Sequence, residues 1–288
     1  MRFNNQSFTV RSATINDRQN LANLIHFGTH VQQHLEWRSP LDWLGYLPYK
    51  VLEKNGDILA AMACPPDPPQ IAWLRLFAVS PGISLERAWK ALWQSIESEI
   101  KSIRTIDSIV SIPLYYWFRH LLENYKFSLI ENVIVLAWAR DTPLPEDKLP
   151  EAVTLRQMVS DDLEMVEKVD QTAFLPLWQT PRLTIEAAFN QSAVATVAER
   201  EGQIIGYQIS TPTTRGGHLA RLATLPQFQG QGIGYALVRD ALSRFNQRGA
   251  QTITVNTQKN NLSSLALYRK AGFTPTGEEY PVYQYIVK

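Results

Sequence analysis

The sequence has one cysteine and almost no net charge. Cys64 alone cannot form an intramolecular disulfide, which excludes the disulfide frameworks of small secreted domains. The chain has 28 Lys and Arg residues against 27 Asp and Glu residues, a formal net charge of +1. This balance provides neither the basic face of a nucleic-acid binder nor the polybasic run of a membrane-surface protein. We therefore expect a cytoplasmic protein whose partners include neither nucleic acid nor membrane.

Long apolar runs are also absent from the sequence. The first ten residues, MRFNNQSFTV, lack the apolar stretch of a secretory signal, and no segment has the roughly 20 apolar residues of a membrane-spanning helix. Hydrophobic residues nevertheless make up 45% of the 288 residues. A chain of this length and composition can bury a substantial core and suits two domains of moderate size.

A proline-rich polar segment divides the chain. Residues 141–152, DTPLPEDKLPEA, have no helical or strand periodicity and predict a linker between a domain at residues 1–140 and a domain at residues 153–288. Three short similarities recur in the same order on both sides of it. They pair WLRLFAVSPG with HLARLATLPQ, IDSIVSI with AQTITVN, and LLENYKF with LYRKAGF. The sequence therefore predicts a duplication.

Hydrophobic periodicity and turn residues predict the elements of both halves. The predicted C-terminal strands are Val153–Gln157, Ala193–Arg200, Gln203–Thr211, His218–Leu225 and Thr252–Thr257, with helices from Ser160, from Ile233 and at Leu262–Lys270, and two terminal strands. The predicted N-terminal elements are strands Phe8–Ala13, Ile71–Val79 and Ile106–Ile112, a hairpin of Val51–Glu53 and Ile58–Ala63 around Asn55-Gly56, and helices Asp17–Gln33, Leu85–Ile100 and Tyr115–Tyr125.

A glycine-rich turn lies between a predicted strand and a predicted helix, in the segment LARLATLPQFQGQGIGYAL, Leu219–Leu237. Unpaired N–H groups at a helix N-terminus favour an anion, and glycine lets a phosphate approach the backbone. A Walker loop would need Lys-Ser or Lys-Thr where Tyr235-Ala236 stands, and a dinucleotide fingerprint would need a small residue at Tyr235. Both fit poorly. The turn favours another phosphorylated ligand, and a turn without a ligand is the alternative.

Two spaced motifs occur in the C-terminal half. The first is Gln229-x-x-Gly232-x-Gly234, and the second is Asn261-(x6)-Tyr268-(x3)-Gly272-Phe273. Together they resemble the acetyl-CoA signature of the GNAT superfamily of acetyltransferases. The resemblance covers residues 153–288 through both motifs, and residues 1–140 through the order of elements alone.

The resemblance implies a fold, a cosubstrate and a set of site residues. The fold would be α/β (α+β), with two GNAT-like domains, each a central mixed, mostly antiparallel sheet flanked by helices. The cosubstrate would be acetyl-CoA, and the strand before the turn would splay from its neighbour to pair with the pantetheine arm. The implied cofactor-binding residues are Leu222, Ala223 and Thr224 on the strand, Gln229, Gly230, Gln231, Gly232, Ile233 and Gly234 in the loop, and Asn261 on the last helix. Ser264 is added because it lies one turn from Asn261 on the same helical face.

The chemistry implied is direct transfer of an acetyl group from the thioester to an amine. Tyr268 is predicted to be the acid that assists the departing thiolate. Many members of the family have a glutamate where this chain has Asn256, so the base is open among His218, Glu199 and Tyr207, with His218 placed first. A set of apolar residues could line an acceptor pocket or belong to the core. They are Phe174, Leu177, Trp178 and Phe189.

The N-terminal half departs from the family pattern. At the position of the glycine loop it reads SPGISLERAWKAL, which keeps only Gly82 and has Glu86 where a phosphate would lie. We therefore expect a degenerate copy that completes the acceptor cleft or stabilises its partner domain. The acceptor would be a small-molecule amine or a peptide N-terminus, and monomer and homodimer both stay open. The alternative function is a CoA-binding regulatory or interaction protein with lapsed catalysis.

Three histidines recur every fourth residue of a predicted helix. His26, His30 and His34 would share one face of this helix if it continues past Gln33, and two such histidines can bind zinc. No carboxylate lies in register to complete a catalytic set, so an exposed or partly packed stripe is favoured and no metal is predicted. Cys64 is expected to pack and not to react.

Overall fold

A computed structural model of the protein describes residues 8–146 and 148–287. The chain divides into two compact units. Unit 1 contains the chain up to Ile130 together with the segment from Pro281, and unit 2 contains Glu131–Tyr280. The predicted linker at residues 141–152 therefore lies inside unit 2.

The described residues form fourteen strands and seven α-helices. The strands are β1 (Thr9–Ser12), β2 (His30–Gln33), β3 (Tyr49–Lys54), β4 (Asp57–Ala63), β5 (Ile71–Trp73), β6 (Leu76–Val79), β7 (Ser108–Ser111), β8 (Ser128–Ala139), β9 (Thr154–Gln157), β10 (Val194–Arg200), β11 (Gln203–Thr213), β12 (Gly216–Thr224), β13 (Thr252–Gln258) and β14 (Thr274–Ile286). The helices are α1 (Arg18–Phe27), α2 (Leu85–Ser102), α3 (Tyr116–Asn124), α4 (Leu163–Ala173), α5 (Arg182–Asn190), α6 (Ile233–Gln247) and α7 (Leu262–Lys270).

Unit 1 is built on a sheet in the order β1-β3-β4-β6-β2. β5 and β7 form a separate parallel pair, and residues 283–286 of β14 join β7 antiparallel. Helix α2 packs its apolar face, which includes Trp89, Leu92 and Ile96, into a large aromatic core. Cys64 is fully buried in that core and burial raises its pKa, so it packs as expected.

Unit 2 contains strands in the order β9-β10-β11-β12-β13-β8, with the first part of β14 beside β8. β12 and β13 are parallel, and the neighbours β9 to β12 are antiparallel. The apolar positions of α6 are buried against β10, β11 and β12, as their spacing predicts. The predicted fold class is confirmed: the protein has two α/β units with mixed, mostly antiparallel sheets.

Each unit contains a strand from the other half of the sequence. Residues 133–139 of β8 pair antiparallel with β13 in unit 2, and residues 283–286 of β14 pair with β7 in unit 1. A division by sequence order, at residues 1–140 and 153–288, assigns both strands to the opposite unit. Local periodicity defines a strand but does not choose its partner, so only the tertiary structure reveals this exchange.

Three sequence predictions differ from the structure. The predicted helix at Asp17–Gln33 is wrong beyond Phe27. Gly28 ends α1 in extended conformation, at a place where a Cβ would lie 2.6 Å from the C=O oxygen of Leu24, and β2 follows. The predicted strand at Ile71–Val79 is interrupted between β5 and β6, and the two predicted terminal strands are one strand, β14.

The histidine stripe does not exist as predicted. His26 lies on α1 and His30 on β2, and the ring of His34 lies against Trp73 with centroids 4.7 Å apart. Across residues 8–146 and 148–287, no group of three or more His, Cys, Asp or Glu residues could hold a metal ion. In the same part of the chain, none of the helices has the length and apolar character needed to cross a bilayer.

Candidate functional site

Unit 2 contains a split between two parallel strands. β12 and β13 pair only at Gly216–Leu219 and Thr252–Val255. Beyond Leu219, β12 continues to Thr224 with β11 as its neighbour. A register shift leaves Ala220 in a bulge, and bulges bend a strand away from a former partner. The structure therefore has the splayed strand that the resemblance implies.

The edge of β12 beyond the split is open. The N–H group of Leu225 donates to the C=O group of Ile205 on β11 at 2.9 Å. Successive backbone groups along a strand alternate in direction, so those of Leu222 and Thr224 face away from β11. The C=O group of Thr224 accepts from the side-chain amide of Gln229 at 3.1 Å. Leu222 has no strand partner on this side among the residues that the structure describes. We call this side of β12 the open edge.

The turn after β12 presents backbone N–H groups at the start of α6. Gly232 is the N-cap residue, with φ 88° and ψ 0°, a left-handed conformation that favours glycine. The first hydrogen bond of the helix joins the N–H group of Ala236 to the C=O group of Gly232 at 3.0 Å. Within the described ranges, the N–H groups from Gly230 to Gly234 have no protein acceptor, as expected for a helix start. Because the dipole of this 15-residue helix adds positive potential there, the loop can bind an anion.

Three predicted loop residues also have structural roles. The N–H group of Gln229 donates to the C=O group of Pro226 at 3.2 Å, so it is not available to a ligand. At Gly234 a Cβ would lie 3.3 Å from the side chain of Leu267, which explains this glycine by the close packing of α6 and α7. The side-chain amide of Gln231 donates to the C=O group of Gln227. The open N–H groups are therefore those of residues 230–234.

Asn261 and Ser264 form the N-terminal cap of α7. The Oδ1 atom of Asn261 accepts from the N–H group of Ser264 at 3.1 Å and from the hydroxyl of Ser263 at 3.0 Å. Its amide lies 3.3 Å from the Oε1 atom of Gln258, to which it donates. These bonds give Asn261 the ordinary role of an N-cap, which the spacing of the motif did not reveal.

Tyr268 is buried on α7 in the core shared by α6, β12 and β13. Its ring packs 5.7 Å from that of Phe273. Burial raises the pKa of Tyr268, and the positive charge of Arg221 on β12 partly opposes this rise. The hydroxyl therefore stays protonated at neutral pH, and it has no hydrogen-bond partner in residues 8–146 and 148–287. A core tyrosine would normally have a satisfied hydroxyl, so this side chain is suited to donate a proton to a ligand.

His218 lies just before the split, on the sheet face opposite α6. Its neighbour Leu219 packs against α6, and side chains alternate between the faces of a strand. The Nδ1 atom of His218 is 2.8 Å from the hydroxyl of Thr254 on β13. Burial lowers the pKa of His218, and a hydrogen bond with Asn256 opposes this effect in part. The imidazole is therefore neutral at neutral pH and can accept a proton.

The other two candidate bases have fixed partners. Glu199 forms an ion pair with Arg156 at 2.7 Å, where β10 borders the edge strand β9. Tyr207 is fully buried and donates its hydroxyl to Asp170, and burial raises its pKa well above the usual range. Neither group is available as a base, so His218 is the candidate that the geometry supports.

The structure contains a buried ion pair beside the split that the sequence did not predict. Arg221 on β12 donates from Nε and Nη2 to the carboxylate of Asp170 on α4, at 2.6 and 2.8 Å. Nη2 also donates to the C=O group of Trp178 at 2.6 Å. The one available signal was a charged residue inside the apolar strand His218–Leu225. Sequence alone could not name its partner, which lies 51 positions away.

The apolar residues proposed for an acceptor pocket lie around the connection between α4 and α5. Phe174, Leu177, Trp178 and Phe189 are all half-buried. We call residues 174–181 the acceptor segment. It contains a short 3-10 turn at Pro176–Trp178 and leads into α5. Because the four side chains are half-buried, they can contact both the protein interior and a ligand.

The corresponding place in unit 1 is already filled. β5 pairs in parallel with β7, as the first part of β12 pairs with β13. β6, which follows β5, pairs with β4 and not with β7, so unit 1 has the same split. On the other side of β6, however, β2 pairs along the whole strand, with Gln32 opposite Phe77. The chain's own strand therefore covers the edge that is open in unit 2.

Comparison with known proteins agrees with this geometry. The sequence model of the acetyltransferase (GNAT) family matches residues 163–273. N-alpha-acetyltransferase 30 of Schizosaccharomyces pombe is 29% identical over 118 residues, which are 41% of this chain and 73% of that protein. A mycothiol acetyltransferase of Saccharomonospora viridis is 26% identical over 172 residues, and the match covers 53% of this chain and only 56% of that protein.

A solved structure extends the similarity to the whole fold. The tandem GNAT protein from the clavulanic acid biosynthesis pathway aligns with a TM-score of 0.64 over 98% of this chain and 99% of its own, at 12% sequence identity. At this identity the likeness concerns the fold alone. Residues 163–273, within unit 2, therefore match the acetyltransferase (GNAT) family, and the chain as a whole has the fold of a tandem GNAT protein.

Proposed function

We propose that unit 2 is an acetyl-CoA-dependent N-acetyltransferase that transfers the acetyl group to an amine by direct attack on the thioester. One observation carries this proposal: the open edge of β12 leads directly into the unpartnered N–H groups of residues 230–234. An extended amide-containing arm and a pyrophosphate on one ligand match these two features in the same order. The residues present therefore fit acetyl-CoA.

The chain's own groups would bind each part of the cosubstrate. The N–H and C=O groups of Leu222 would pair with the pantetheine arm, as a neighbouring strand would. The N–H groups from Gly230 to Gly234 would bind the pyrophosphate. The backbone of Ala223 is directed at β11, so its contribution is limited to its side chain.

Proton transfer would use the two faces of the split. When bound, acetyl-CoA supplies the acetyl group as a thioester. His218 lies on the face of α4, so the amine would approach from that side and lose a proton to the imidazole, whose Nδ1 atom is hydrogen-bonded to Thr254. The proton on the hydroxyl of Tyr268 is available to the departing sulfur. Because the pKa of His218 is lowered and that of Tyr268 is raised, both groups are in the required protonation state at neutral pH.

The acceptor is proposed only by class. The relatives include an enzyme named for N-alpha-acetylation and one named for mycothiol, so peptide N-termini and small-molecule amines both occur in this group. The half-buried aromatic residues of the acceptor segment suit an amine with an apolar portion next to it.

A second candidate is a CoA-binding regulatory protein without catalysis. Asn256 favours it, because this position on β13 has no carboxylate and its amide cannot act as a base. The neutral His218 beside it opposes this candidate.

Release of free thiol from acetyl-CoA tests the two candidates. The assay would use a panel of an alanyl peptide, a seryl peptide, glucosamine, phenethylamine and spermidine, with mass spectrometry of each product. Because Cys64 is buried, the protein adds little thiol background. We expect at least one amine to accelerate thiol release and become acetylated. Binding of acetyl-CoA without any product would support the regulatory candidate, and no binding would contradict both.

A further inference from the structure

Arg221 joins the strand of the open edge to the acceptor segment. Its side chain is 15% exposed, and the Asp170 carboxylate that it contacts is fully buried on α4. The same guanidinium bonds the C=O group of Trp178 and lies over the ring of Phe174, with Cζ 3.7 Å from the ring centroid. Arg221 lies next to Leu222 on β12, and its side chain contacts both α4 and the acceptor segment. It therefore connects these three elements.

Asp170 holds the acceptor segment from its other end. Its Oδ1 atom accepts from the backbone N–H group of Thr180 at 2.7 Å, and Tyr207 donates to Oδ2. The carboxylate therefore receives hydrogen bonds from Tyr207, Thr180 and two nitrogens of Arg221. These partners compensate the buried negative charge of Asp170. Loss of one partner would leave that charge incompletely paired in a low-dielectric interior, which costs free energy.

The contacts lie on the face where the amine would arrive. Leu222 packs with α6 on one face of β12, while Arg221 reaches α4 on the other, which is also the face of His218. His218 and Arg221 are three positions apart, so their Cα atoms lie within about 10 Å along the strand. Because Arg221 holds the acceptor segment this close to His218, it determines where one side of the acceptor site lies.

We propose that Arg221 is a positioning residue that fastens the acceptor segment to the cofactor strand and thereby determines how tightly the amine binds. This inference rests on the proposed function of unit 2. Arginine suits the role because its planar fork bonds both carboxylate oxygens and a carbonyl while stacking on an aromatic ring, which a lysine cannot do at once. Its effect should fall on the amine and not on acetyl-CoA.

The test compares Arg221→Lys with Arg156→Lys in the full chain. Arg156 offers a matched control because it also forms a bidentate ion pair, with Asp162, and a further bond to Glu199, but at the far edge of the sheet. We measure hydrogen exchange of the amides of residues 174–181, and KM for acetyl-CoA and for the panel amine with the fastest thiol release. In Arg221→Lys we expect exchange at least tenfold faster in this segment and an amine KM raised about tenfold, the size expected for a lost hydrogen bond to a charged group.

The remaining parameters separate positioning from a general structural loss. In Arg221→Lys the KM for acetyl-CoA should stay within about twofold of the wild-type value. In Arg156→Lys the KM values for acetyl-CoA and for the amine should both stay within this range. Unchanged exchange, equal changes in both KM values, or the same effect in the control would overturn the inference. If the wild-type protein acetylates no amine, the proposed function fails, while the exchange measurement still shows whether Arg221 holds the segment.

A second variant covers the case in which Arg221→Lys does not fold. Phe174→Leu removes the ring under the guanidinium and leaves the buried ion pair intact. We expect a smaller rise in the amine KM, about threefold, with the KM for acetyl-CoA unchanged, since one stacking contact is lost. An unchanged amine KM in this variant would contradict the proposed coupling between Arg221 and the acceptor segment.

Discussion

The two units treat the same strand split in opposite ways. In unit 2 the edge of β12 is open beyond Leu219, and a glycine loop follows it. In unit 1 the matching edge of β6 is paired with β2, and α2 follows a turn with one glycine, Gly82, and a serine N-cap. An unpaired strand edge inside a protein costs free energy unless a ligand or another strand covers it. Unit 2 leaves the edge to a ligand, and unit 1 covers it with its own chain.

A third difference concerns the tyrosine of the second motif. The internal similarity between LLENYKF and LYRKAGF places Leu122 where unit 2 has Tyr268. Leu122 is fully buried in the core of unit 1, and it carries no proton to donate. The open edge, the glycine loop and the hydroxyl are therefore all present in one unit and all absent from the other, as expected if they serve a single ligand.

The strongest prediction concerns how many acetyl-CoA molecules bind. Isothermal titration should find one site per chain, and Gly232→Trp should weaken binding at least a hundredfold, because a side chain at this left-handed position blocks the phosphate and strains the turn. Gly249→Trp is the matched control: Gly249 follows the other end of α6 with φ 79° and open space around it. Two sites per chain would contradict the difference between the units.

The base should matter in unit 2 and not in unit 1. His218→Gln should lower kcat/KM for the amine by about 10² to 10³, the usual contribution of a general base. His34→Gln is the control, since His34 is also a half-buried histidine, in unit 1, whose pKa is lowered by burial. The wild-type rate should be flat above pH 7 and fall only below pH 6.5, because burial lowers the pKa of His218. An unchanged rate in His218→Gln would show that the amine loses its proton to solvent and not to His218.

Tyr268, as the proposed acid, should affect the chemical step and not the binding of acetyl-CoA. Tyr268→Phe keeps the buried ring and should lower kcat about tenfold to a hundredfold, with the affinity for acetyl-CoA unchanged. Tyr283→Phe, which removes a hydroxyl that donates to Glu123 in unit 1, is the control. Loss of acetyl-CoA affinity in Tyr268→Phe would show a binding or packing role in place of an acid.

The smallest expected effect is on the stability of unit 1 in acid. Burial, and then the charge of Arg75, lower the pKa of His34 well below 6.5. The unfolded chain therefore takes up a proton near pH 6.5 that the folded chain does not, and stability falls as the pH decreases below this value. His34→Gln should reduce the loss between pH 7.5 and 5.5 by up to about 1.4 kcal/mol. Urea unfolding at both pH values measures it, and an identical loss in both proteins would exclude this histidine.

Elements with strong local signals were predictable. The Asn55-Gly56 turn has φ 55° and 89° and joins β3 to β4, as the dipeptide indicates. Helix α6 follows the 3.6-residue periodicity of its apolar positions. By contrast, the helix predicted at Asp17–Gln33 ends at Gly28. The backbone there lies close to the C=O group of Val79, a tertiary contact that no local pattern shows.

Local sequence patterns specify the parts of the protein whose conformation depends on neighbouring residues. These are the strand, glycine turn and helix at residues 216–247, the capped helix α7 and the repeated order of elements, because backbone conformation and amphipathic spacing are local properties. Which strand covers each edge depends on the folding of the whole chain. Folding placed β2 on β6, exchanged the strands of β8 and β14 between the units, and brought Arg221 to Asp170. Strand pairing and buried ion pairs join distant parts of the chain, and no local pattern specifies their partners.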